Sequence, residues 1–230
     1  MSRLLTVGNP PIQVKLRRSA RARRLSLRIS QSNGSVTLTL PVRVPEEQGI
    51  AFLAEKEDWL RRHLANVSGA TSIARGVEIP FRGDMVMIGA GSGRSVTLAG
   101  DVIAVPGADD KVGVRTKAFL KATARDHLAV ASDRFAGALG RSVGKITLRD
   151  TRSRWGSCTS RGDLMYSWRL IMAPPEVLEY VAAHECAHLI EMNHSQAFWD
   201  VVARIYPDYK LCRDWLREHG TKLHQYDFGD

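Results

Sequence analysis

The chain has 230 residues, of which 44% are hydrophobic and 25% charged, and its formal net charge is +9 at pH 7. This length is enough for one large domain or two small domains with a full hydrophobic core. No run of about 18 apolar residues occurs, which excludes a transmembrane helix, and the N-terminus has no signal-peptide pattern. The three cysteines are widely spaced and form no C-x-x-C pair, which predicts free thiols in a cytoplasmic protein.

The positive charge is concentrated near the N-terminus. Residues 1–45 contain nine Lys and Arg side chains and no acidic side chain, whereas the remaining residues carry 24 of each sign. Such a segment could attract nucleic acid or another polyanion. It could instead be the solvated face of half-buried strands, because Val14, Leu16, Leu25 and Leu27 alternate with polar residues. The second interpretation is favoured, since no aromatic side chains interleave with the arginines.

The first half of the chain is predicted to be rich in strands. Strands are predicted at 12–18, 24–31 and 34–40, with a tight turn at Ser32, Asn33 and Gly34, and at 76–88 and 94–105. A helix over 46–66 is opened by Pro45. Proline, glycine and aspartate at 106–110 predict the boundary between a β-rich basic region, 1–108, and a second domain, 109–230.

The second half alternates helices with short strands. A helix is predicted over 114–139, followed by strands at 145–150, 153–158 and 164–170, with a turn at 159–163. Pro174 and Pro175 open the next helix, and two more helices extend to about 205 and from 208 to 218. The tail contains His219 and His224, which are expected to be exposed.

The sequence His184-Glu185-x-x-His188 lies in the helix that Pro174 and Pro175 open. Residues four apart lie on one helix face, so His184 and His188 can direct imidazole nitrogens at one point, as tetrahedral Zn²⁺ requires. Glu185 is placed to reach a metal-bound water without ligating the metal. His194 lies beyond the helix, and the chain can bend back to supply a third ligand. Three protein ligands leave an open position, which is typical of a catalytic site.

The surroundings of this motif favour a metal. Residues 180–190 are apolar apart from His184, Glu185 and His188, and burying three ionisable groups there is costly unless a cation pairs with them. The alternative is two core histidines satisfied by hydrogen bonds. Asn193, with Gln196 three residues later, predicts a capping box that reverses the chain where His194 must face the metal.

Several segments resemble a known family. R-S-R-W-G-S-C at 152–158, S-W-R-L at 167–170, the proline pair, H-E-C-A-H at 184–188, N-H-S at 193–195 and F-W at 198–199 are similar to the YgjP-like metal-dependent hydrolases, which are grouped with WLM and SprT-type zinc proteases. The resemblance is strongest over about 111–220. Glu191 stands where metzincins have glycine, and no later methionine could form a Met-turn, so that subclass is rejected.

The resemblance implies an α+β, zincin-like metallopeptidase domain. This domain would consist of a helix, a three-stranded sheet, the HExxH helix and C-terminal helices, preceded by the β-rich region. It implies one Zn²⁺ ion held by His184, His188 and His194, with Glu185 as general acid/base. A peptide or protein substrate could add as a strand to an exposed sheet edge. The candidate substrate-binding residues are Arg154, Trp155, Gly156, Ser157, Tyr166 and Arg169. The tryptophan could instead be core packing, and the arginines could form structural ion pairs with Asp150 or Asp163.

Two other functions remain open at this point. Metal hydroxide also attacks phosphorus, so the chain could hydrolyse nucleotides or other phosphate-containing small molecules. Two sequence features that would support that alternative are missing: a P-loop sequence, and a second carboxylate cluster for a two-metal site. The chain could also be a nucleic-acid-associated protease or binding module that uses its basic N-terminal region.

Overall fold

The computed structural model describes residues 3–30, 34–65 and 70–229. The chain forms two compact units, Met1–Thr71 and Ser72–Asp230. Both units contain helices and strands, which confirms the α+β class and the β-rich N-terminal region. Within the described ranges, no helix combines the length and apolarity needed to cross a bilayer.

The first unit is a four-stranded sheet covered by two helices. Its elements are β1 (Arg3–Val7), β2 (Ile12–Ser19), β3 (Ser26–Ile29), β4 (Val36–Pro41), α1 (Glu46–Glu55) and α2 (Glu57–Ala65). The strand order is β1-β2-β4-β3, and only β2 and β4 are parallel. Alternate strand residues such as Val14 and Leu38 pack with Leu53 and Leu60 of the helices to form the core. The opposite face of the sheet carries polar side chains.

The first unit has one more strand than predicted and a divided helical region. Strand β1 was not predicted, and the single helix expected over 46–66 is divided at Lys56. The predicted hairpin turn involves Ser32 and Asn33, which lie outside the described residues. The strands that flank it, β3 and β4, are antiparallel neighbours, as a hairpin requires.

The second unit has three small sheets around a long central helix. After β5 (Thr71–Ser72), which contains the last residue of the first unit and the first of the second, its elements are β6 (Glu78–Phe81), β7 (Asp84–Ala90), β8 (Thr97–Ala99), β9 (Val102–Val105), α3 (Val112–Ala138), β10 (Ile146–Arg149), β11 (Gly156–Cys158), β12 (Leu164–Ser167), α4 (Pro175–Ala187), α5 (Gln196–Ile205), α6 (Tyr209–His219) and β13 (Tyr226–Asp227). The sheet orders are β6-β7-β9-β8, β10-β12-β11 and β5-β13. The two strands predicted over 76–88 and 94–105 are each divided by a turn. Arg82 and Gly83 both have positive φ, as a two-residue hairpin turn requires, and Gly100 has positive φ in the other turn.

The compact units do not follow the predicted division at residue 108. Ile79, Ile88 and Ile103, which precede it, belong to the same hydrophobic core as Leu120 of α3 and Val181 of α4. One continuous core normally defines one domain. Whether residues 1–108 and 109–230 fold independently of each other stays a prediction.

The packing of α4 fixes the position of the histidine motif. Small buried residues (Ala182, Ala183 and Cys186) form much of its inner surface, and the Cys186 thiol donates to the Ser132 carbonyl of α3 at 3.4 Å. Strand β11 forms the edge of its sheet and lies beside the same helix. The site therefore has a rigid helix on one side and an unpaired strand edge on the other.

Candidate metal centre

Helix α4 presents the first two histidines from one side. It begins at Pro175 after Pro174, in agreement with the predicted role of the prolines, and its last residue is Ala187. His188 is the C-cap residue and keeps a helical backbone conformation, with φ −65° and ψ −13°. The spacing of four residues is therefore preserved, and the rings of His184 and His188 lie with centroids 5.2 Å apart.

A tight reversal after α4 returns the chain so that His194 faces the helix. The amide of Ser195 donates to the Asn193 carbonyl at 2.8 Å. The capping box predicted from Asn193 is wrong, because Ser195 is the N-cap of α5 and no side chain caps the helix. Gln196 instead donates to Asp200 along the helix. The reversal itself, which the prediction required, is present.

The reversal brings three imidazoles together. One ring nitrogen from each of His184, His188 and His194 lies within 4.8 Å of the other two. The Nε2 atoms of His184 and His194 are 3.1 Å apart, close to the separation of about 3.4 Å expected for two nitrogens on a tetrahedral zinc ion with bonds of about 2.1 Å. The donor set and its spacing fit one zinc ion.

The environment favours the neutral form of His184 and His188 and orients the ring of His188. Burial, reinforced by the charges that His188 and His194 would carry, lowers the pKa of His184 to about 3. Burial also lowers the pKa of His188. Nδ1 of His188 donates to the Glu191 carbonyl at 2.9 Å, which leaves Nε2 with a free lone pair. Neutral imidazole with a fixed tautomer is the form that binds a metal.

Phe198 of α5 supports all three rings. Its side chain is fully buried and stacks on His188 at 4.5 Å between centroids. It also meets His194 and His184 edge-on at 4.7 and 4.9 Å. Trp199 adds further contacts to His184 and His194, and it is itself stacked on Tyr209. The two aromatic residues restrict how far the imidazoles can move.

Glu185 points away from this aromatic support and towards strand β11. Glu185 is 5% exposed. Burial raises the pKa of its carboxyl to about 8, although the positive charge of Arg154 opposes this shift. The carboxylate occupies the space that a side chain at residue 156 would need, since a Cβ there would lie 2.6 Å from Cγ of Glu185. Glycine at position 156 therefore allows the strand and the carboxylate to lie in contact.

A cleft of about 390 Å³ opens over these groups. It is lined by Arg154, Trp155, Gly156, Ser157, Cys158, Tyr180, Val181, His184, Glu185, His188, Met192, His194 and Leu216. The structure thus brings four of the six predicted substrate residues, Arg154 to Ser157, to the same cleft as the histidines and Glu185. Arg154 is the only lysine or arginine among the lining residues.

Comparison with known proteins agrees with this arrangement. The sequence matches the family described as YgjP-like, metallopeptidase domain, over residues 23–219. The chain belongs to the YgjP-like family. It is therefore a metal-dependent hydrolase of the metallopeptidase class, and the predicted resemblance is confirmed.

Two further comparisons add little to this YgjP-like assignment. No curated protein matches the chain. Among solved structures, the crystal structure of the metallopeptidase zymogen of Pyrococcus abyssi abylysin is 25% identical and aligns over 42% of this chain and 92% of that chain. Its TM-score is 0.34. The assignment rests on the family match.

Two of the predicted substrate residues lie outside the cleft of this YgjP-like chain. Tyr166 is fully buried, and its hydroxyl is 2.9 Å from that of Ser132 in α3. Arg169 is 7% exposed and donates from Nε and Nη2 to both carboxylate oxygens of Asp150, at 2.8 and 3.1 Å. The structural ion pair considered as the alternative for Arg169 is present, so both residues support the fold rather than line the site.

The C-terminal tail is more buried than predicted. His224 is 8% exposed, and burial, reinforced by the charge of Arg169, lowers its pKa to about 4. Its ring packs on Trp155 with centroids 5.3 Å apart. Arg169 holds the tail by donating to the carbonyls of Leu223 and Tyr226, at 2.8 and 3.2 Å. The expectation that His224 is exposed is wrong, because this tail packs behind the cleft wall.

Sequence reasoning missed some residues of the site. Tyr180 lies one helical turn before His184, and its ring meets that imidazole edge-on at 5.9 Å. The spacing of four residues is visible in the sequence and could have indicated it. Met192 and Leu216 also line the cleft, but no sequence pattern distinguishes them from ordinary apolar residues.

Proposed function

We propose that the chain is a zinc-dependent peptidase that cleaves peptide bonds within polypeptides. His184, His188 and His194 would hold one zinc ion, and Glu185 would be the general acid/base. The convergence of three imidazole nitrogens within 4.8 Å beside a buried carboxyl carries this proposal. When bound there, zinc would supply Lewis acidity, which lowers the pKa of a coordinated water to about 7 and polarises a carbonyl oxygen.

Glu185 is suited to move protons. In the chain alone, burial raises the pKa of its carboxyl to about 8, so the group can both accept and release a proton near neutral pH. Its carboxylate would take a proton from the attacking water and deliver it to the leaving nitrogen. Tyr180 keeps its proton throughout, because burial raises its pKa to about 12. Its hydroxyl therefore remains a hydrogen-bond donor in the cleft wall.

Strand β11 suits an extended peptide. It pairs with β12 on one side, and its other edge carries unpaired backbone groups beside the cleft. A substrate could add to this edge as a further strand, with its backbone bonded to Gly156 and Ser157. The absence of a side chain at Gly156 lets Glu185 lie directly against the strand to which the substrate backbone would pair. Arg154, exposed at the mouth of the cleft, would bind a carbonyl or carboxylate group of the substrate.

The phosphate-hydrolase alternative has less support. In residues 3–30, 34–65 and 70–229, the one group of three or more potential metal-ligating side chains is the histidine trio, so no second metal site for a two-metal mechanism is found. The cleft also contains a single arginine, which offers little positive charge to bind a triphosphate. The peptidase proposal is therefore preferred.

A substitution of the proposed acid/base tests the function. In Glu185→Gln, we expect one bound zinc per chain, as in the native protein, and a loss of kcat of about 10²–10⁴-fold on a peptide mixture. Glu179→Gln, on the same helix but paired with Arg134 at 3.0 Å, is the matched control and should keep full activity. Unchanged peptide cleavage in Glu185→Gln would refute the assignment. Hydrolysis of nucleotides but not of peptides by the native protein would favour the alternative.

A further inference from the structure

The charged side chains on the outer face of the sheet in the first unit are all basic. Strand register places Lys15 of β2 beside Thr37 of β4, which in turn lies beside Arg28 of β3. The next row contains Arg17, beside Thr39. All three cationic residues are exposed. We call Lys15, Arg17 and Arg28 the basic face.

The acidic side chains of this unit lie in a different place. Residues 1–45 contain no Asp or Glu, and the five acidic residues of 46–65 all belong to helices α1 and α2. Those helices cover the opposite, apolar face of the sheet. Among the described residues, none of the three basic-face cations has a carboxylate within ion-pair distance. The acidic side chains of the unit are therefore confined to its helical side, and the outer face of the sheet carries cations and hydroxyl groups without acids.

We propose that the basic face binds the phosphate backbone of double-stranded nucleic acid. Adjacent strands lie about 4.8 Å apart and alternate residues about 7 Å apart, so the backbone positions of the three cations are separated by roughly 7–12 Å on the sheet surface. Long flexible side chains at that spacing can reach separate phosphates of a duplex. The polar neighbours Thr37 and Thr39 can donate to phosphate oxygens.

The composition of the face favours a duplex over a single strand. Single-strand binding proteins stack unpaired bases on aromatic side chains. The rows that contain Lys15 and Arg17 present no aromatic residue: their other members on these strands are Leu4, Thr37, Thr39 and Ser26. A duplex keeps its bases stacked and exposes its phosphates, so cationic and hydroxyl side chains are sufficient to bind it. Binding of this kind is independent of base sequence.

The salt dependence of binding gives a quantitative test with the full chain. Three phosphate contacts contribute a slope of about −2.7 to the logarithm of the association constant against the logarithm of salt concentration, or about a 40-fold loss of affinity from 50 to 200 mM salt. Lys15→Gln, Arg17→Gln and Arg28→Gln should each make the slope shallower by about 0.9, measured by fluorescence anisotropy on a labelled 20-base-pair DNA duplex. Arg17→Lys should retain the native slope.

A matched control variant distinguishes binding by the basic face from a general effect of the positive charge of the chain. Arg62→Gln removes the same charge from α2, on the helical side of the unit, and should leave the slope unchanged. The proposal is overturned if the native chain does not bind the duplex, or if Arg62→Gln weakens binding as much as the basic-face variants. Tighter binding to heparin, to single-stranded DNA or to anionic phospholipid vesicles than to the duplex would also overturn it.

Discussion

Gly156 and Glu185 lie in direct contact, with the backbone of the edge strand β11 against the buried carboxyl of helix α4. A Cβ at residue 156 would lie 2.6 Å from Cγ of Glu185 and would overlap its carboxylate. Real Cβ atoms essentially never approach so closely. The position of the proposed acid/base therefore depends on a glycine in the neighbouring strand.

Gly156→Ala should displace Glu185 without removing the metal ligands. Because a misplacement of about 1 Å can cost about 100-fold in rate, we expect kcat/KM to fall by about that factor while zinc content is unchanged. Peptide cleavage and metal analysis on the same preparation measure both effects. Gly137→Ala is the matched control, since a Cβ at that helical position would meet nothing within 4 Å apart from its own helix backbone, and it should leave activity intact. Full activity in Gly156→Ala would show that the contact is unimportant.

Phe198→Leu should weaken zinc binding. The phenyl ring contacts the imidazoles of His184, His188 and His194, so a smaller side chain leaves the ligands less restricted. Residues that orient metal ligands typically contribute 10–100-fold to affinity, and we expect a loss in that range in competition with a chelator. Phe135→Leu removes a comparable buried ring from α3 and controls for the loss of stability. Equal zinc affinity in the two variants would contradict the role of Phe198.

The histidine cluster could be predicted because its geometry is largely local. Helix periodicity fixes His184 relative to His188, and a short reversal is enough to return His194. The contact between Gly156 and Glu185 depends on how β11 pairs with β12 and how α4 packs beside them, which no short sequence pattern specifies. Tyr166 and Arg169 were misplaced for the same reason. Tyr166 lies on β12, and the packing of α3 decides that its face of the strand is core. Arg169 lies beyond the end of the strand, in a 3-10 helix over Trp168–Met172 where the sequence predicted a strand to 170, and the C-terminal tail covers it.

The burial of His224 predicts a pH-dependent stability. Burial lowers its pKa in the folded chain to about 4, below the value of about 6.5 in the unfolded chain, so the unfolded chain binds more protons between these values. This contribution is fully present above pH 6.5 and is lost as pH falls towards 4. The loss of this contribution lowers the free energy of unfolding by about 2 kcal/mol when the pH falls from 7.5 to 5.

His224→Phe should remove this part of the pH dependence while keeping an aromatic ring against Trp155. Urea unfolding of the native chain and the variant at pH 7.5 and pH 5 measures it, and the difference between the two proteins cancels the contribution of the other histidines. We expect the native chain to lose about 2 kcal/mol more than His224→Phe over this interval. An equal loss in both proteins would show that His224 does not resist protonation.

X-ray absorption spectroscopy at the zinc edge, on the native chain loaded with one equivalent of zinc, tests the metal centre most directly. We expect imidazole scattering from three nitrogen ligands at about 2.0–2.1 Å and one further light atom, with one nitrogen ligand lost in His194→Ala. Sulfur ligands at about 2.3 Å would place the metal at cysteines. That result, or failure of the chain to retain zinc, would contradict the account.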